Sequence, residues 1–526
     1  MKIQLRSFLI ATGAVALYFI AAFTLLKPHP YKLSGAYQSL QLWETQRAYP
    51  KKTINDAVYF AAFTNNKKNE ALKKIGTDSW RAIGPHNIGG RTLAVAINPQ
   101  NPNTIYAGSA SGGLWRSTTE GRGDIAWEYI STGFPVLGVS SIAIVPTDSN
   151  TIYIGTGEVY GYRNALGGVS VRTTRGSYGI GILKTTNNGV TWKKSLDWSQ
   201  FEERGVNVIR IHPQFKNQIW AGTSEGVFRS TDAGLTWFNV HSVTMAMDIV
   251  LHPTDTNIVF ASCGGLGSPG NGIYRSGNSG KNWTKLTNGL PASFGGKALL
   301  HMYPQSPNVL LASIGNGAEF GTWLCKTTDG GDSWTTVSTN DYSTYQGWYS
   351  HFALFHPTDS SKILCAGVDV YKSIDGGITQ TQKSYWYKWY FGTPYPGDPE
   401  GPSDYSHADH HTFAIHPTNP DIVYFGGDGG VFCTTDFGES FEGRNGGYQT
   451  TQFYNGFTSA VKDSTIALGG MQDNATAIYQ GTVAWYRVIG GDGCMTGMSP
   501  TSVDTMYGTS QNLNLLRSTN RGINWT

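Results

Sequence analysis

The sequence predicts an all-β protein, a multi-bladed β-propeller of about nine four-stranded blades that follows an N-terminal hydrophobic helix and a short helical segment. An eight-residue pattern, Ser/Thr-x-Asp/Asn-x-Gly-x-x-Trp, recurs seven or eight times. Strand-like runs with His-Pro or x-Pro turns begin at intervals of about 40 to 65 residues, a spacing typical of one blade. Glycine is abundant, at 66 residues, and charged residues are only 14% of the chain, which suits a β protein with many turns.

The recurring pattern predicts a hairpin turn that ends in an apolar anchor. Its clearest copy runs from Ser230 to Trp237. The Asp or Asn accepts hydrogen bonds from backbone amides, and the glycine supplies the positive φ of a tight turn. The tryptophan then covers apolar surface at the start of the next strand. We therefore expect a structural role for the other copies, which lie at 117–127, 185–192, 276–283, 327–334, 373–380, 434–441 and 518–525.

Composition excludes several functional classes. The formal net charge is +3 and there is no basic run, so no nucleic-acid partner is expected. The five cysteines form no CxxC pair, which argues against a zinc knuckle or a redox motif. Buried thiols are the favoured interpretation, with one disulfide open if the protein is exported. We expect no cofactor and a monomer.

The N-terminus predicts export. Lys2 and Arg6 precede an uncharged apolar segment, 8–26, which is either a signal peptide or a membrane anchor. Its 19 residues suffice to cross a bilayer, and no clean cleavage site follows, which favours an uncleaved anchor. The rest of the chain would then lie in the cell envelope or outside the cell. Residues 27–78 suggest a helical stalk or pre-domain, and the propeller would occupy 79–526.

The end of the chain leaves two interpretations open. Thr526 directly follows the tryptophan that should begin the outer strand of the last blade. Residues 79–84 resemble such a strand and would complete that blade, closing the ring. Alternatively, the propeller is incomplete at its C-terminus and belongs to a longer protein.

The long insertions are expected on the face opposite the recurring turns, where variable loops usually bind ligands. Residues 381–406 form the longest insertion, and it carries a dense group of aromatic residues. These rings would stack on sugars or hold peptide side chains, or else pack on one another over the propeller. The candidate ligand-binding residues are Tyr385, Trp386, Tyr387, Trp389 and Tyr390 of this loop, with Glu158 and Glu225 of other loops on the same face.

Four aspartates in loops of three adjacent blades are candidate catalytic residues: Asp409, Asp428, Asp473 and Asp492. Glycoside hydrolysis uses two carboxyl groups about 5 to 10 Å apart across a sugar-sized cleft. Neighbouring blades could supply that spacing, although Asp and Gly also favour tight loops on conformational grounds alone.

A metal site is a further hypothesis for the same face. If His407 begins a strand, strand alternation places His407, Asp409 and His411 on one side, where they could hold a metal or pass a proton. The competing interpretation is a His–Asp hydrogen bond that fixes a loop.

The turn pattern resembles that of the Asp-box, or BNR-repeat, proteins. The whole unit is similar to the propellers of the sortilin receptor domain and of xyloglucan-degrading glycoside hydrolases. A bacterial exported subgroup is suggested by W-x-x-IGP-x-NIGGR at 80–91, GGDGG at 426–430 and GG-x-QDN at 469–474. The hydrolase resemblance implies two catalytic aspartates. Asp428 matches one, but Ala110 stands where the other is expected.

Two functions follow as expectations. The first is an exported propeller that binds a polysaccharide or a polypeptide on its loop-rich face. The alternative is a glycoside hydrolase that draws an acid pair from the four aspartates.

Overall fold

The computed structural model describes residues 42, 45, 46, 48–51, 55–72 and 81–526, except 136, 137, 165–169, 202, 318–320 and 393. The apolar segment 8–26 lies outside these residues. Within them, no helix is long and apolar enough to cross a membrane. The chain divides into two compact units, residues 1–74 and 75–526. The first contains helix α1 (Asp56–Leu72).

The second unit is built from nine antiparallel sheets in chain order, named here sheet one to sheet nine. Sheets one to three contain β1 (Thr92–Ile97), β2 (Ile105–Ser109), β3 (Gly113–Ser117) and β4 (Glu128–Ile130); β5 (Val139–Val145), β6 (Asp148–Thr156), β9 (Gly181–Thr185) and β10 (Lys193–Asp197); and β11 (Val206–Ile211), β12 (Ile219–Thr223), β13 (Gly226–Ser230) and β14 (Phe238–His241). A separate hairpin, β7 (Gly161–Asn164) with β8 (Ser170–Thr173), is inserted between β6 and β9.

Sheets four to six contain β15 (Ala246–Leu251), β16 (Val259–Cys263), β17 (Gly272–Ser276) and β18 (Thr284–Leu286); β19 (Ala298–Met302), β20 (Leu310–Gly315), β21 (Thr322–Thr327) and β22 (Thr335–Ser338); and β23 (Phe352–His356), β24 (Asp359–Ala366), β25 (Val370–Ser373) and β26 (Thr381–Gln382).

Sheets seven to nine contain β27 (His410–Ile415), β28 (Val423–Gly427), β29 (Gly430–Thr434) and β30 (Glu442–Gly443); β31 (Phe453–Ser459), β32 (Ile466–Met471), β33 (Thr476–Gln480) and β34 (Tyr486–Ile489); and the three strands β35 (Thr496–Met498), β36 (Met506–Ser510) and β37 (Asn514–Ser518). The prediction of an all-β, multi-bladed propeller of about nine repeating sheets is confirmed, although the ninth sheet has three strands rather than four within the described residues.

Burial explains why these segments form strands. Every residue of β12 is buried, as is every residue of β2, β16, β20, β28 and β32. A second strand is covered on both faces by the neighbouring sheets, so it contains an almost continuous apolar run. Fourth strands lie at the outer edge, and Phe238 of β14 is accordingly exposed. All five cysteines are free thiols, and four of them are buried.

The recurring turn has the predicted geometry. The Ser230 hydroxyl accepts from the Gly234 amide at 2.8 Å, and Asp232 Oδ1 accepts from the Thr236 amide at 2.9 Å. Hydrogen bonds, first from the Thr236 hydroxyl, lower the pKa of Asp232 to about 2. The indole of Trp237 donates to Ser195 Oγ in β10, so the anchor bonds to the preceding sheet rather than to its own.

The ring closes after seven sheets, which the sequence did not predict. Strand β1 packs against β27 and β28 of sheet seven, as well as against β5 of sheet two. One apolar cluster joins Val95 and Trp115 of sheet one to Tyr424 and Val431 of sheet seven. Nearby, the Trp127 indole donates to the Arg444 carbonyl oxygen at 2.6 Å. Sheets eight and nine therefore lie outside the seven-sheet ring, and β31 packs against β35.

Of the two interpretations of the chain end, the one in which residues 79–84 form the outer strand of the last blade is contradicted by residues 81–84. The described part of this segment contacts sheet eight: the Trp485 indole donates to the Ile83 carbonyl oxygen at 2.8 Å, and the His86 amide donates to the Val483 carbonyl oxygen at 2.8 Å. In sheet nine, the outer position beside Arg517 is taken by Thr526 itself. Ile83 of this segment packs against an apolar cluster that contains Met471, Ala477 and Trp485 of sheet eight.

We expect replacement of Trp127 by alanine to weaken ring closure. The substitution removes a buried indole and its bond to sheet seven, and large-to-small changes of this kind cost about 3 to 5 kcal/mol. The free energy of unfolding, measured by urea denaturation, reports this loss. Phe238→Ala, on an exposed outer strand, is the control. Equal effects of the two substitutions would show that this contact does not hold the ring closed.

Candidate functional site

A cavity of about 520 Å³, called here the aspartate cavity, opens on the face that carries the insertions. In sheets five to nine, the lining comes from turns between the second and third strands and from loops that join one sheet to the next. Arg175, between β8 and β9 of the insertion in sheet two, lines the cavity as well. The aromatic loop 381–406 and the Asp-Gly loops therefore share one cavity. Its lining residues are Arg175, Tyr342, Thr344, Tyr345, Gln346, Val368, Asp369, Tyr371, Trp386, Trp389, Tyr405, His407, Ala408, Asp409, Asp473, Asn474, Ala475, Arg487, Gly491, Asp492 and Gln511.

Two of the five candidate aromatic residues line the cavity: Trp386, which is 46% exposed, and Trp389, which is half-buried. The rings of Tyr385 and Tyr387 pack on one another, with centroids 6.0 Å apart. Tyr390 borders a separate cleft. Part of the loop therefore packs on its own aromatic residues and part faces the cavity, so each of the two interpretations holds for some of these residues.

The loop is fixed to sheet eight at its middle. Gly392 and Arg487 exchange backbone hydrogen bonds, and the Arg487 guanidinium lies 3.1 Å from the Glu400 carboxylate. Both side chains of this ion pair are buried. The tryptophans are therefore held beside the aspartates of sheet eight.

Three of the four candidate catalytic aspartates line the cavity. Asp409 directly precedes β27, Asp473 lies in the β32–β33 turn, and Asp492 follows β34. Asp428, in the β28–β29 turn, is buried behind them, with 1% of its surface exposed. It does not line the cavity.

These carboxyl groups interact with one another through Arg175 and through hydrogen bonds. The Arg175 guanidinium lies 3.9 Å from Asp428 and 3.7 Å from Asp473. The Asp473 amide donates to Asp492 Oδ1 at 2.7 Å. Burial, followed by the charge of Asp428, raises the pKa of Asp473 to about 6. Burial also raises the pKa of Asp492, and raises the pKa of Asp409 well above its ordinary value.

Asp428 is held as an acceptor by two neutral donors. The Tyr349 hydroxyl donates to both carboxylate oxygens, at 2.9 and 2.7 Å, and His411 Nε2 lies 2.7 Å from Oδ1. Burial lowers the pKa of His411 well below its ordinary value, so the imidazole is neutral and can donate from Nε2. The carboxylate oxygens of Asp428 are therefore used in hydrogen bonds within the protein.

The two candidate glutamates lie elsewhere. Glu158 is 3% exposed and forms an ion pair with Arg91 at 3.0 Å. Tyr160 also donates its hydroxyl to Glu158 at 2.7 Å. Glu225 lies in the β12–β13 turn, 3.9 Å from Arg204 Nε. Neither glutamate lines the aspartate cavity.

The sequence motifs meet at Arg91. Its guanidinium donates to Gln472 Oε1 at 2.9 Å, and it also donates to the carbonyl oxygen of Arg175 at 3.0 Å. A Cβ at Gly89 would lie 2.5 Å from the Gly429 carbonyl oxygen, so glycine is needed where NIGGR packs on GGDGG. These motifs therefore position the loops around the cavity.

The predicted metal site is not formed. The strand begins at His410 rather than His407, and Asp409 adopts a positive φ of 66°, so strand alternation does not apply to the three residues. His407 Nε2 bonds to the Asp473 carbonyl oxygen and His411 Nε2 to Asp428. Among the described residues, no group of three His, Cys, Asp or Glu side chains is arranged to hold a metal.

Sequence reasoning missed Arg175 and the loop that contains Tyr345, Gln346 and Tyr349. Arg175 lies between the inserted strand β8 and strand β9. The stacking of Arg175 on the Tyr349 ring, at 4.3 Å, joins two loops distant in sequence. No local pattern marks that contact.

Comparison with known proteins places the chain near the xyloglucanases, although no family model matches it. A xyloglucanase from Hypocrea jecorina is 26% identical over 194 residues, which are 34% of this chain and 21% of that protein. A xyloglucanase from Acetivibrio thermocellus is 29% identical over 163 residues, 29% of this chain and 18% of that protein. The chain thus spans only about a fifth of these two relatives.

A solved structure supports the fold. The crystal structure of an ancestral GH74 enzyme matches with a TM-score of 0.55 and 16% identity, covering 86% of this chain and 63% of that one. At this identity the likeness shows the β-propeller fold alone.

Replacing Glu158 by glutamine should be strongly destabilising. Breaking a buried ion pair leaves the Arg91 charge uncompensated, which costs about 3 to 5 kcal/mol. Urea denaturation measures the effect. The control is Asp332→Asn, which breaks an exposed pair with Arg275 and should cost about 0 to 1 kcal/mol. Similar small losses in both variants would contradict the burial of the Arg91–Glu158 pair.

Replacing Asp473 by asparagine should remove a pH dependence of stability. A carboxyl whose pKa rises from 3.8 to about 6 on folding binds more protons in the folded state, so stability falls as pH rises through this interval. The asparagine variant should gain on the order of 2 kcal/mol relative to the wild type between pH 4 and pH 7. Unfolding free energies at the two pH values test this. A constant difference would show that Asp473 has an ordinary pKa.

Proposed function

We propose that the protein is a glycoside hydrolase that acts on a polysaccharide bound across the aspartate cavity. The observation that carries the proposal is the shared cavity, in which two tryptophans face three aspartates of raised pKa. Indole rings stack on sugar faces, and glycosidases need a carboxyl group that is protonated near neutral pH beside one that is ionised. The similarity to xyloglucanases agrees with this chemistry.

We assign the two roles to Asp473 and Asp492. A pKa of about 6 suits Asp473 as the general acid that protonates the leaving oxygen. Asp492 follows sheet eight in the adjacent loop and is less buried, so it is the better candidate for the ionised partner. Asp409 remains a second candidate for the acid, because its carboxyl also faces the cavity.

Asp428, which the family resemblance marks as catalytic, is better assigned as a positioning residue. Its carboxylate is occupied by Tyr349 and His411 and is buried behind the cavity. Its charge acts on the cavity by raising the pKa of Asp473.

Position 110, where the resemblance implies the second catalytic acid, is closed off from the cavity. Ala110 is fully buried, and its carbonyl oxygen would lie 3.0 Å from a Cβ at Gly176. The insertion that carries Arg175 therefore covers this position. We therefore draw the acid pair from the aspartates that line the cavity.

Binding without hydrolysis is the second candidate function. It is favoured by the alanine at position 110 and by the burial of Asp428, since both family positions are then unavailable for chemistry. A polysaccharide is the first ligand to test, and a polypeptide is the alternative. The recurring turns support a place among Asp-box propellers, and the apolar segment 8–26 supports a location outside the cytoplasm.

Incubation with a panel of polysaccharides that includes xyloglucan tests the proposal by release of reducing ends. Asp473→Asn and Asp492→Asn should each lower the rate about 10²- to 10⁴-fold, because each removes a group that transfers a proton. Wild-type activity should fall above about pH 6, where Asp473 loses its proton.

The control is Asp398→Asn, an exposed position of the aromatic loop outside the cavity, which should keep full activity. Saturable binding with no hydrolysis of any polysaccharide would establish the binding function instead. Unchanged rates in both cavity variants would remove the assigned acid pair.

A further inference from the structure

The aspartate cavity has more negative than positive groups. Four carboxyl groups line it: Asp369, Asp409, Asp473 and Asp492. Two guanidinium groups line it as well, and both already have partners. Arg175 lies between Asp428 and Asp473, and Arg487 pairs with the buried Glu400. The remaining titratable lining groups are His407 and the tyrosines.

Asp369 and Asp409 are buried carboxyl groups that form no ion pair among the described residues. Each is 8% exposed. Asp369 accepts from Ser384 Oγ at 3.1 Å and from the Trp386 amide at 2.9 Å. Burial raises the pKa of Asp369 to about 6. A bound proton therefore offsets part of the charge of Asp369.

Two neutral polar atoms in the cavity wall have no partner among the described residues. They are the Tyr405 hydroxyl and Asn474 Oδ1, on side chains that are 2% and 4% exposed. Buried polar atoms are normally hydrogen-bonded, and an orphaned one costs about 1 to 3 kcal/mol. A bound ligand with hydroxyl or ammonium groups would satisfy them.

The aromatic wall adjoins the acidic groups. The backbone amide of Trp386 donates to Asp369, so this residue lies directly beside the carboxylate. Aromatic faces attract cations as well as sugar rings. A carboxylate beside an indole is therefore suited to a sugar that carries a cationic group, because the carboxylate can pair with the cation while the indole covers the face of the sugar ring.

We propose that the cavity selects a polysaccharide whose sugars carry free, protonated amines, as in a deacetylated hexosamine polymer. Asp369 and Asp409 supply the charge for the ammonium group, and Trp386 and Trp389 cover the sugar rings. The proposal rests on the proposed function, because it specifies the polysaccharide class. A basic peptide offers the same charge, but its flexible side chains use neither the two indole faces nor the orphaned hydroxyl and amide.

Calorimetric titration of the full chain near neutral pH tests this selection. Glucosamine oligomers should bind at least about tenfold more tightly than N-acetylated oligomers of equal length, a difference of about 1.4 kcal/mol. Xyloglucan oligomers and an oligolysine peptide complete the panel. Added salt should weaken binding of the amine form more than that of the acetylated form.

Asp369→Asn and Asp409→Asn should each lower the affinity for glucosamine oligomers about tenfold or more, since each removes a carboxyl group that can give up its proton and pair with the ammonium group, and should leave affinity for the acetylated oligomers unchanged. Asp398→Asn, at an exposed aspartate of the aromatic loop 381–406, should bind like the wild type. The comparison of acetylated and free-amine ligands on the wild type tests the proposal even if a cavity variant does not fold.

Each other outcome has a defined meaning. Equal or tighter binding of acetylated or xyloglucan oligomers would overturn the amine selection and leave the proposed function standing. Binding of no oligosaccharide at all would overturn both. Tight binding of oligolysine with no binding of glucosamine oligomers would overturn the amine-sugar class in favour of a polypeptide.

Discussion

The packing of β1 against sheet seven is the contact on which the remaining architecture depends. Because the ring closes there, the chain that continues beyond sheet seven must build outside it. Sheet eight then lies beside the ring, and its turns carry Asp473 and Asp492 next to loops of sheets five to seven. The cavity is thus a consequence of closure after seven sheets, since nine sheets in one ring would separate these loops.

A buried charge network lies at the meeting point of the ring and sheet eight. Arg91, just before β1, bonds to Glu158 of sheet two and to Gln472 of sheet eight. Arg175 continues this network to Asp428 and Asp473. An ion pair in such a place contributes less to net stability than to fixing which loops meet, because desolvation of the charges offsets much of their attraction. This explains how loops from five sheets can form one cavity without a metal ligand set in the described residues.

The fold was predictable to the level of the repeating sheet, and the cavity to the level of the loops that line it. Local chemistry fixes the turns: the Asp232 carboxylate accepts a backbone hydrogen bond, and Gly234 adopts a positive φ, as these two residue types favour in turns. Ring closure depends on contacts between Trp115 and Tyr448, which are far apart in sequence and have no periodic signature. The metal hypothesis for His407, Asp409 and His411 failed for a local reason, the positive φ at Asp409. Arg175 could not be identified because its partners lie in three other loops.

In two of the recurring turns the tryptophan bonds to the sheet before it, and this has a consequence for how the chain is made. Trp237 donates to Ser195, and Trp283 donates to the Val240 carbonyl oxygen, in each case across a seam to the outer strand that was synthesised earlier. A nascent chain can therefore form these two contacts between neighbouring sheets as soon as the next turn leaves the ribosome, without waiting for distal residues. The single seam that cannot be sealed in this order is the one between sheets one and seven, which stays open until some 350 residues of the ring have emerged.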